Sequence, residues 1–466
     1  MGSGSLESGA MSDLPSSIRL SFHRAVAEGM PAAVQGAVPV RRADVLGREP
    51  DLARAWADLE ALEEAGTVGF LTMDRAAWQL DAAVAIAGRL RGISDTLLVL
   101  GIGGSALGAM ALDAALGPCT EDPHRLCVLD TVDPFTVTRV LAGLDPRRTA
   151  VAVISKSGGT VETAALFRAV LPWLRDGAPD WKQRLVMITD REKGALRPLA
   201  DAWGLDALPV PDDVGGRFSV LTAVGILPAA YRGLDVEGLL TGAEAMAATM
   251  RVPGVEANAA WAFAAVHDAW WGAASTSILL TYCERLGLLG DWYMQLWGES
   301  LGKPLPDGGA YGWTPAAARG PADQHSQLQL WQQGPANRLI TVVRVDDHGA
   351  DLTLPDLSGP EDGVASYLAG TSLSALLDAE RRGTTTALVA AGRPVLELSL
   401  PRIDAGVVGG LVILFETATA LAGLVRGLDP FDQPGVEAGK HFAYGLLGRP
   451  GFAEHAARVA EVLDDA

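Results

Sequence analysis

Thr149-Ala150-Val151-Ala152-Val153-Ile154-Ser155-Lys156-Ser157-Gly158-Gly159-Thr160-Val161-Glu162-Thr163 is the stretch from which the rest of the chain can be read. It opens with a short apolar run rich in β-branched residues, the pattern of a strand buried on both faces. Hydroxyls, one lysine and two glycines follow, and Ala164-Ala165-Leu166-Phe167 then begins a helical pattern. A strand, a turn and a helix start in that order gather hydroxyls, backbone N–H groups and the positive end of a helix dipole around one point, which suits a dianionic phosphate. A Ser/Thr-rich turn also serves as an ordinary helix cap, so the rest of the chain has to decide.

Upstream, the buried-type strand Thr96-Leu97-Leu98-Val99-Leu100 runs into Gly101-Ile102-Gly103-Gly104-Ser105-Ala106-Leu107-Gly108 and an alanine-rich helix. Arg125-Leu126-Cys127-Val128-Leu129 and Arg184-Leu185-Val186-Met187-Ile188 read as further strands, with helical patterns between them. Such alternation predicts a parallel sheet covered on both faces, its ligand site beyond the carboxyl ends of the strands where both glycine turns fall. A second unit of the same kind starts near Ser275 to Tyr282 and continues through Leu339 to Val343 and Val395 to Leu398.

The expected fold class is therefore α/β, two doubly wound parallel-sheet sandwiches with helical N- and C-terminal extensions. The boundaries read as a flexible tail over 1–10, with Met11 a plausible start, and a helical segment over 11–94 that shows no chemistry. The first α/β domain follows over 95–235, a helical bridge over 236–274, the second domain over 275–428 and a C-terminal helical segment over 429–466. Gly406 to Val425 is long and apolar, but Glu416, Thr417 and Thr419 lie in its middle, and a central carboxylate is costly in lipid. It reads as a buried helix.

With 466 residues, 49% of them hydrophobic, the chain can bury large cores. A net charge of −19 argues against a sequence-independent nucleic-acid binder, which needs excess Lys and Arg to displace counterions. Cys119, Cys127 and Cys283 show no metal-ligand spacing and cannot all pair, which fits a reducing, cytoplasmic setting. Only Lys156, Lys182, Lys193, Lys303 and Lys440 among the 37 basic residues are lysines, which suggests sites that want a compact point charge.

Gly101, Gly103 and Ala106 also fit a dinucleotide fingerprint, with Asp130 placed for a ribose. A dinucleotide fold needs no second cradle, however, and Ser105 adds a hydroxyl at the first helix start.

Six motifs, in order, resemble those of the phosphoglucose isomerase family: Gly101 to Ser105, Ser155 to Thr163, Gly215-Gly216-Arg217-Phe218-Ser219-Val220-Leu221, Gly298-Glu299-Ser300-Leu301-Gly302-Lys303, Asp323-Gln324-His325-Ser326-Gln327 and Gln433-Pro434-Gly435-Val436-Glu437-Ala438-Gly439-Lys440. The resemblance spans about residues 95–445. It implies two sugar-isomerase domains, a homodimer with a site completed by the partner subunit, and interconversion of glucose 6-phosphate and fructose 6-phosphate without metal or cofactor. The partners it implies are a small sugar phosphate, with no nucleic acid and no membrane. Ser157, Gly158 and Gly159 stand where many members carry Thr-Phe-Thr, and Gly298 and Leu301 flank Glu299 differently from the animal enzymes. The chain is in these respects similar to a bacterial branch, with sugar specificity left open.

Moving a carbonyl between C1 and C2 requires opening the ring and carrying a C–H proton one carbon over through an enediolate. Glu299, hemmed in sequence by Leu296, Trp297 and Leu301, is the expected base, its apolar neighbourhood favouring the protonated form. Arg217, after two glycines, is expected to face the developing enediolate oxygen. His325 and Lys440 are expected to open the ring, one at O5 and the other at O1. Ser105, Ser155, Lys156, Ser157 and Thr160 are expected on the phosphate, and Gly103, Gly104 and Gln433 elsewhere on the substrate. The alternatives are an isomerase of another sugar phosphate on the same fold, a non-catalytic sugar-phosphate-binding regulator, which has no reason to keep the catalytic set together, and a nicotinamide-dependent dehydrogenase.

Overall fold

The computed structural model describes residues 18–118, 122–357, 361 and 363–463. The tail over 1–10, the start at Met11 and Cys119 lie outside them. The first sheet is formed by β2 (Thr96–Leu100), β3 (Arg125–Leu129), β4 (Thr149–Ser155), β5 (Leu185–Thr189) and β6 (Asp206–Pro209), all parallel, in the order β3-β2-β4-β5-β6. β4 lies near the middle and is buried along its whole length, as its unbroken apolar run requires. Alternate residues serve different layers. Val151, Val153, Leu185 and Met187 pack in a separate core with the helices Val161–Gly177 and Leu196–Trp203, whereas Ala150, Ala152, Ile154, Val186 and Ile188 join the main core of the protein.

The second sheet is mixed, in the order β1-β12-β11-β7-β10. β7 (Thr276–Thr281), β10 (Thr314–Arg319), β11 (Arg338–Asp347) and β12 (Val395–Arg402) run parallel, and β8 (Lys303–Pro304) and β9 (Ala310–Tyr311) form a small separate hairpin. β1 (Arg19–Ser21) departs from the expectation for residues 11–94: instead of helix, it pairs antiparallel with β12, Leu20 opposite Leu398. An edge strand of three residues has too few positions to display a period. β6 and β10 were likewise absent from the strands read in the sequence, because Asp-Ala-Leu-Pro and Thr-Pro-Ala-Ala-Ala-Arg carry almost no β-branched side chains.

The apolar helix Ala405–Leu424 is buried within the protein, crossing the Val236–Met250, Ala259–Trp270 and Gly287–Leu301 helices. Glu416 is 1% exposed there, and its Oε1 has no hydrogen-bond partner among the described residues. Burial drives its pKa well above the ordinary carboxyl value. Between the ordinary value and the raised one, the folded chain holds a proton that the unfolded chain has released, so this contribution to stability is lost as pH rises toward the folded pKa. Glu416→Gln, which cannot ionise, should flatten that slope. Its melting temperature relative to the parent chain should be higher at about pH 8 than at about pH 5, and equal differences at both would contradict a buried protonated carboxyl.

Candidate active site

The candidate residues come from the turns after β2 and β4 and from the end of the Gly287–Leu301 helix, which meets the first of these turns where Gln295 lies against Gly103. β2 and β4 are neighbours, so the turns that follow them lie side by side. After β4, the Thr160 Oγ1 lies 3.0 Å from the Ser155 hydroxyl and 3.4 Å from that of Ser157, while the Gly159 N–H donates to the Ser157 Oγ at 3.2 Å. Thr160 is also the N-cap residue of the Val161–Gly177 helix, yet its side chain makes no capping bond. Three convergent hydroxyls at a helix N-terminus are placed to receive an anion. Ser105 ends the turn after β2, half-buried, with Ala106 as the N-cap residue between it and the Leu107–Leu116 helix.

The turn after β2 packs against the Gly216–Phe218 turn. A Cβ on Gly104 would lie 2.3 Å from the Gly216 carbonyl oxygen, so this approach needs glycine. Gly103 adopts φ +56°, and a Cβ there would lie 2.8 Å from the Gln295 Nε2.

Arg217 is 2% exposed and spends its donors on a converging set of oxygens. Nε donates to the Ser300 Oγ at 2.7 Å, Nη1 to the Gln433 Oε1 at 2.7 Å, and Nη2 to the carbonyls of Pro430 at 2.5 Å and Asp432 at 2.8 Å. Nη1 also faces the Glu299 Oε2 at 3.5 Å. The Trp292 indole N–H donates to the Arg217 carbonyl at 3.2 Å, fixing the backbone. Burial presses the guanidinium pKa down, and the Glu299, Asp432 and Asp429 carboxylates press it up.

Glu299 departs from its expected surroundings. Trp292, Tyr293, Leu296, Trp297, Ser300 and Leu301 form the buried face of the helix, so the apolar neighbours named in sequence turn into the core. The carboxylate, about a third exposed, faces Arg217 on one oxygen and the Gln295 Nε2 at 3.3 Å on the other. Gln295 was missed in the sequence. Its signal is spacing, since it precedes Glu299 by four residues and therefore shares its helix face.

Lys156 also departs from expectation. Its ammonium donates to the backbone carbonyls of Asp212 at 3.0 Å and Val214 at 2.9 Å, in the segment leading to Arg217. Lys303, whose side chain is 8% exposed, ties down the segment that carries Gln433: its ammonium donates to the carbonyls of Asp429 and Asp432 and pairs with the Asp432 carboxylate at 2.6 Å.

Neither His325 nor Lys440 makes a hydrogen bond or ion pair with Arg217, Glu299 or the hydroxyl turn. The Gly287–Leu301 helix runs antiparallel to β10, with Gly287 beside Arg319, Gly290 beside Ala317 and Gly298 beside Pro315. Glu299 therefore sits at the amino end of β10, whereas His325 follows the short helix Gly320–Gln324 at the carboxyl end. Twelve helical residues from Gly287 to Glu299 separate the two ends by about 18 Å. His325 is exposed. Lys440 lies on the helix Glu437–Leu446, also exposed, with its ammonium on the Glu437 carboxylate at 2.7 Å.

The first α/β sandwich thus carries a hydroxyl-lined turn and the buried Arg217 guanidinium, and the Glu299 carboxylate comes to Arg217 from a helix later in the chain. The comparisons supply the class. The family model of phosphoglucose isomerase matches residues 84–456. A probable glucose-6-phosphate isomerase of Haloarcula marismortui is 44% identical over 355 residues, covering 76% of this chain and 78% of that protein. A glucose-6-phosphate isomerase of Rubrobacter xylanophilus is 41% identical over 396 residues, covering 82% and 90%. Among solved structures, a hypothetical protein of Thermus thermophilus superposes with a TM-score of 0.83 at 36% identity, covering 92% of this chain and 99% of that one. A glucose-6-phosphate isomerase of Chlamydia trachomatis superposes with a TM-score of 0.71 at 25% identity, covering 82% and 76%. The chain belongs to the phosphoglucose isomerase family.

Proposed function

We propose that the protein is a cytoplasmic, homodimeric aldose–ketose isomerase that interconverts glucose 6-phosphate and fructose 6-phosphate. The observation that carries this reading is the Glu299 carboxylate held between Arg217 and Gln295, beside a turn whose neighbour is the hydroxyl cradle. The substrate's phosphate rests on Ser105, Ser155, Ser157 and Thr160, at two adjacent helix starts. Gly103 and Gly104 let the backbone come close to the sugar, and Gln433 completes the contact from the 429–433 segment. Once the ring is open, Glu299 takes the C2 proton and returns it to C1, while Arg217 stabilises the negative oxygen of the enediolate. Ring opening falls to His325, reaching the site from a second copy, and to Lys440, once its ammonium leaves the Glu437 carboxylate for the substrate. A coupled assay with fructose 6-phosphate tests the reading, and mannose 6-phosphate in the same assay tests sugar specificity. No turnover of any hexose 6-phosphate would overturn it.

Two further expectations follow from the placement of these groups. Thr160→Ala removes one hydroxyl of the cradle and leaves the proton-transfer groups alone. KM and the inhibition constant for inorganic phosphate should rise together by about 10–100-fold, the scale of one hydrogen bond to a charged group, with kcat little changed. If both affinities stayed at the parent value, the phosphate would bind elsewhere.

Because His325 lies about a helix length from Glu299 in its own chain, it serves the site of a second copy. A Glu299→Gln chain mixed with a His325→Ala chain should then regain activity: the hybrid dimer contains one site with both residues intact. Unfolding and refolding the mixture, followed by the coupled assay, should give activity well above either parent variant. A mixture no more active than its parts would place His325 outside a shared site.

A further inference from the structure

Lys156 stands between two cradle residues, Ser155 and Ser157, and its position has a consequence for how the phosphate acts. Its backbone belongs to the phosphate loop, where its carbonyl accepts from the Asp190 N–H at 3.0 Å. Its side chain belongs to a different part of the site. The ammonium bridges the carbonyls of Asp212 and Val214, and the chain then passes through Gly215 into the Gly216–Phe218 turn that holds Arg217.

One nitrogen with three tetrahedral donors can serve two carbonyls two residues apart, which is a reason for lysine in a chain that otherwise favours arginine. The loop has little room to yield elsewhere. Gly158 packs against Gly194 and Ala195, where a Cβ would already lie 3.1 Å from backbone atoms. Burial pulls the ammonium pKa below the ordinary lysine value, the Asp212, Asp190 and Asp213 carboxylates countering it only in part, and the two backbone carbonyls hold it in place. At the far end of the connection, Arg217 is joined to Glu299, Ser300, Gln433 and the 430–432 backbone. A small displacement of the Gly216–Phe218 turn would therefore alter the geometry of the proton-transfer groups.

We infer that Lys156 is a positioning residue that ties occupancy of the hydroxyl cradle to the placement of Arg217, so that a phosphate dianion activates proton transfer as well as anchoring the sugar. The inference rests on the isomerase reading of the same site. Binding energy from a remote, unreacting group accelerates chemistry only when it is used to organise the groups that meet the transition state, and Lys156 supplies a direct connection for that purpose.

The test separates the two halves of the substrate. Unphosphorylated fructose is incubated with the full chain in D₂O, with and without phosphite dianion, and deuterium uptake at C1 is followed by NMR. With the parent chain, saturating phosphite should raise the exchange rate at least about tenfold. In Lys156→Met, phosphite should inhibit fructose 6-phosphate turnover with a constant within about threefold of the parent's, yet its activation of fructose exchange should fall by about tenfold or more. Lys156→Gln, shorter and uncharged, should show the same split and serves where the Met variant does not fold. Equal activation in variant and parent, or no activation in the parent, overturns the inference. So does a loss of phosphite affinity that matches the loss of activation, since Lys156 would then be a direct anion ligand. Fructose 6-phosphate turnover by the parent chain, measured in the same preparation, separates the two readings. Its absence defeats the isomerase assignment, whereas normal turnover without coupling defeats only the role given to Lys156.

Discussion

Glu299→Gln should lower kcat for isomerisation on the order of 10⁴-fold, the upper range for removing a general base, while affinity for fructose 6-phosphate stays within a few-fold of the parent value. Glutamine keeps the size of the side chain but cannot accept a proton at C2. Its amide can still accept from Gln295 through one atom, as the carboxylate does at 3.3 Å. The cradle of Ser155, Ser157 and Thr160 is untouched, so the phosphate should still bind. Steady-state kinetics paired with calorimetric binding of the substrate separates the two quantities. A drop in affinity with kcat preserved would make Glu299 a binding residue.

Arg217→Lys should lower kcat by about 10–1000-fold, the range for losing a preorganised donor to a developing oxyanion. An ammonium offers three donors from one point, whereas Arg217 divides its bonds among the Ser300 hydroxyl, the Gln433 amide, the Glu299 carboxylate and two carbonyls of the 430–432 backbone. Lysine cannot reach that set together, so the substitution should both weaken enediolate stabilisation and loosen the segment carrying Gln433. Lys303 still holds Asp429 and Asp432, which should keep the protein folded. A loss confined to KM would assign Arg217 to binding alone.

What the sequence could disclose depended on how local the physical cause was. β4 was legible because burial on both faces leaves a mark on every residue from Ala150 to Ile154, and the turn that follows carries its chemistry in residue types. β10 was not legible, since its strand conformation comes from pairing with β7 and from the helix that packs across it. The Ala405–Leu424 helix was legible as buried protein because one carboxyl in its centre is incompatible with lipid.

The same distinction runs through the site. Glu299 and Arg217 were expected together, and the chain brings them together. The surroundings of Glu299 were misread because sequence neighbours on a helix point in different directions, and the apolar ones face the core. Lys156 is expected on the phosphate because it lies in the hydroxyl-rich turn after β4, but its partners are backbone carbonyls at Asp212 and Val214, which no side-chain pattern records. Lys303 stood in a motif without a role and acquires one from carbonyls more than a hundred residues away.

The central claim is that Glu299 alone carries the proton between C2 and C1. Glucose 6-phosphate incubated in D₂O with the Glu299→Gln chain tests this most directly, because forming the enediolate exposes the proton to solvent exchange even when overall turnover stalls. The variant should bind the sugar phosphate and leave C2 unlabelled above the protein-free rate, under conditions where the parent chain equilibrates the two sugars. Substantial deuterium at C2 with the variant would show that another group is the base.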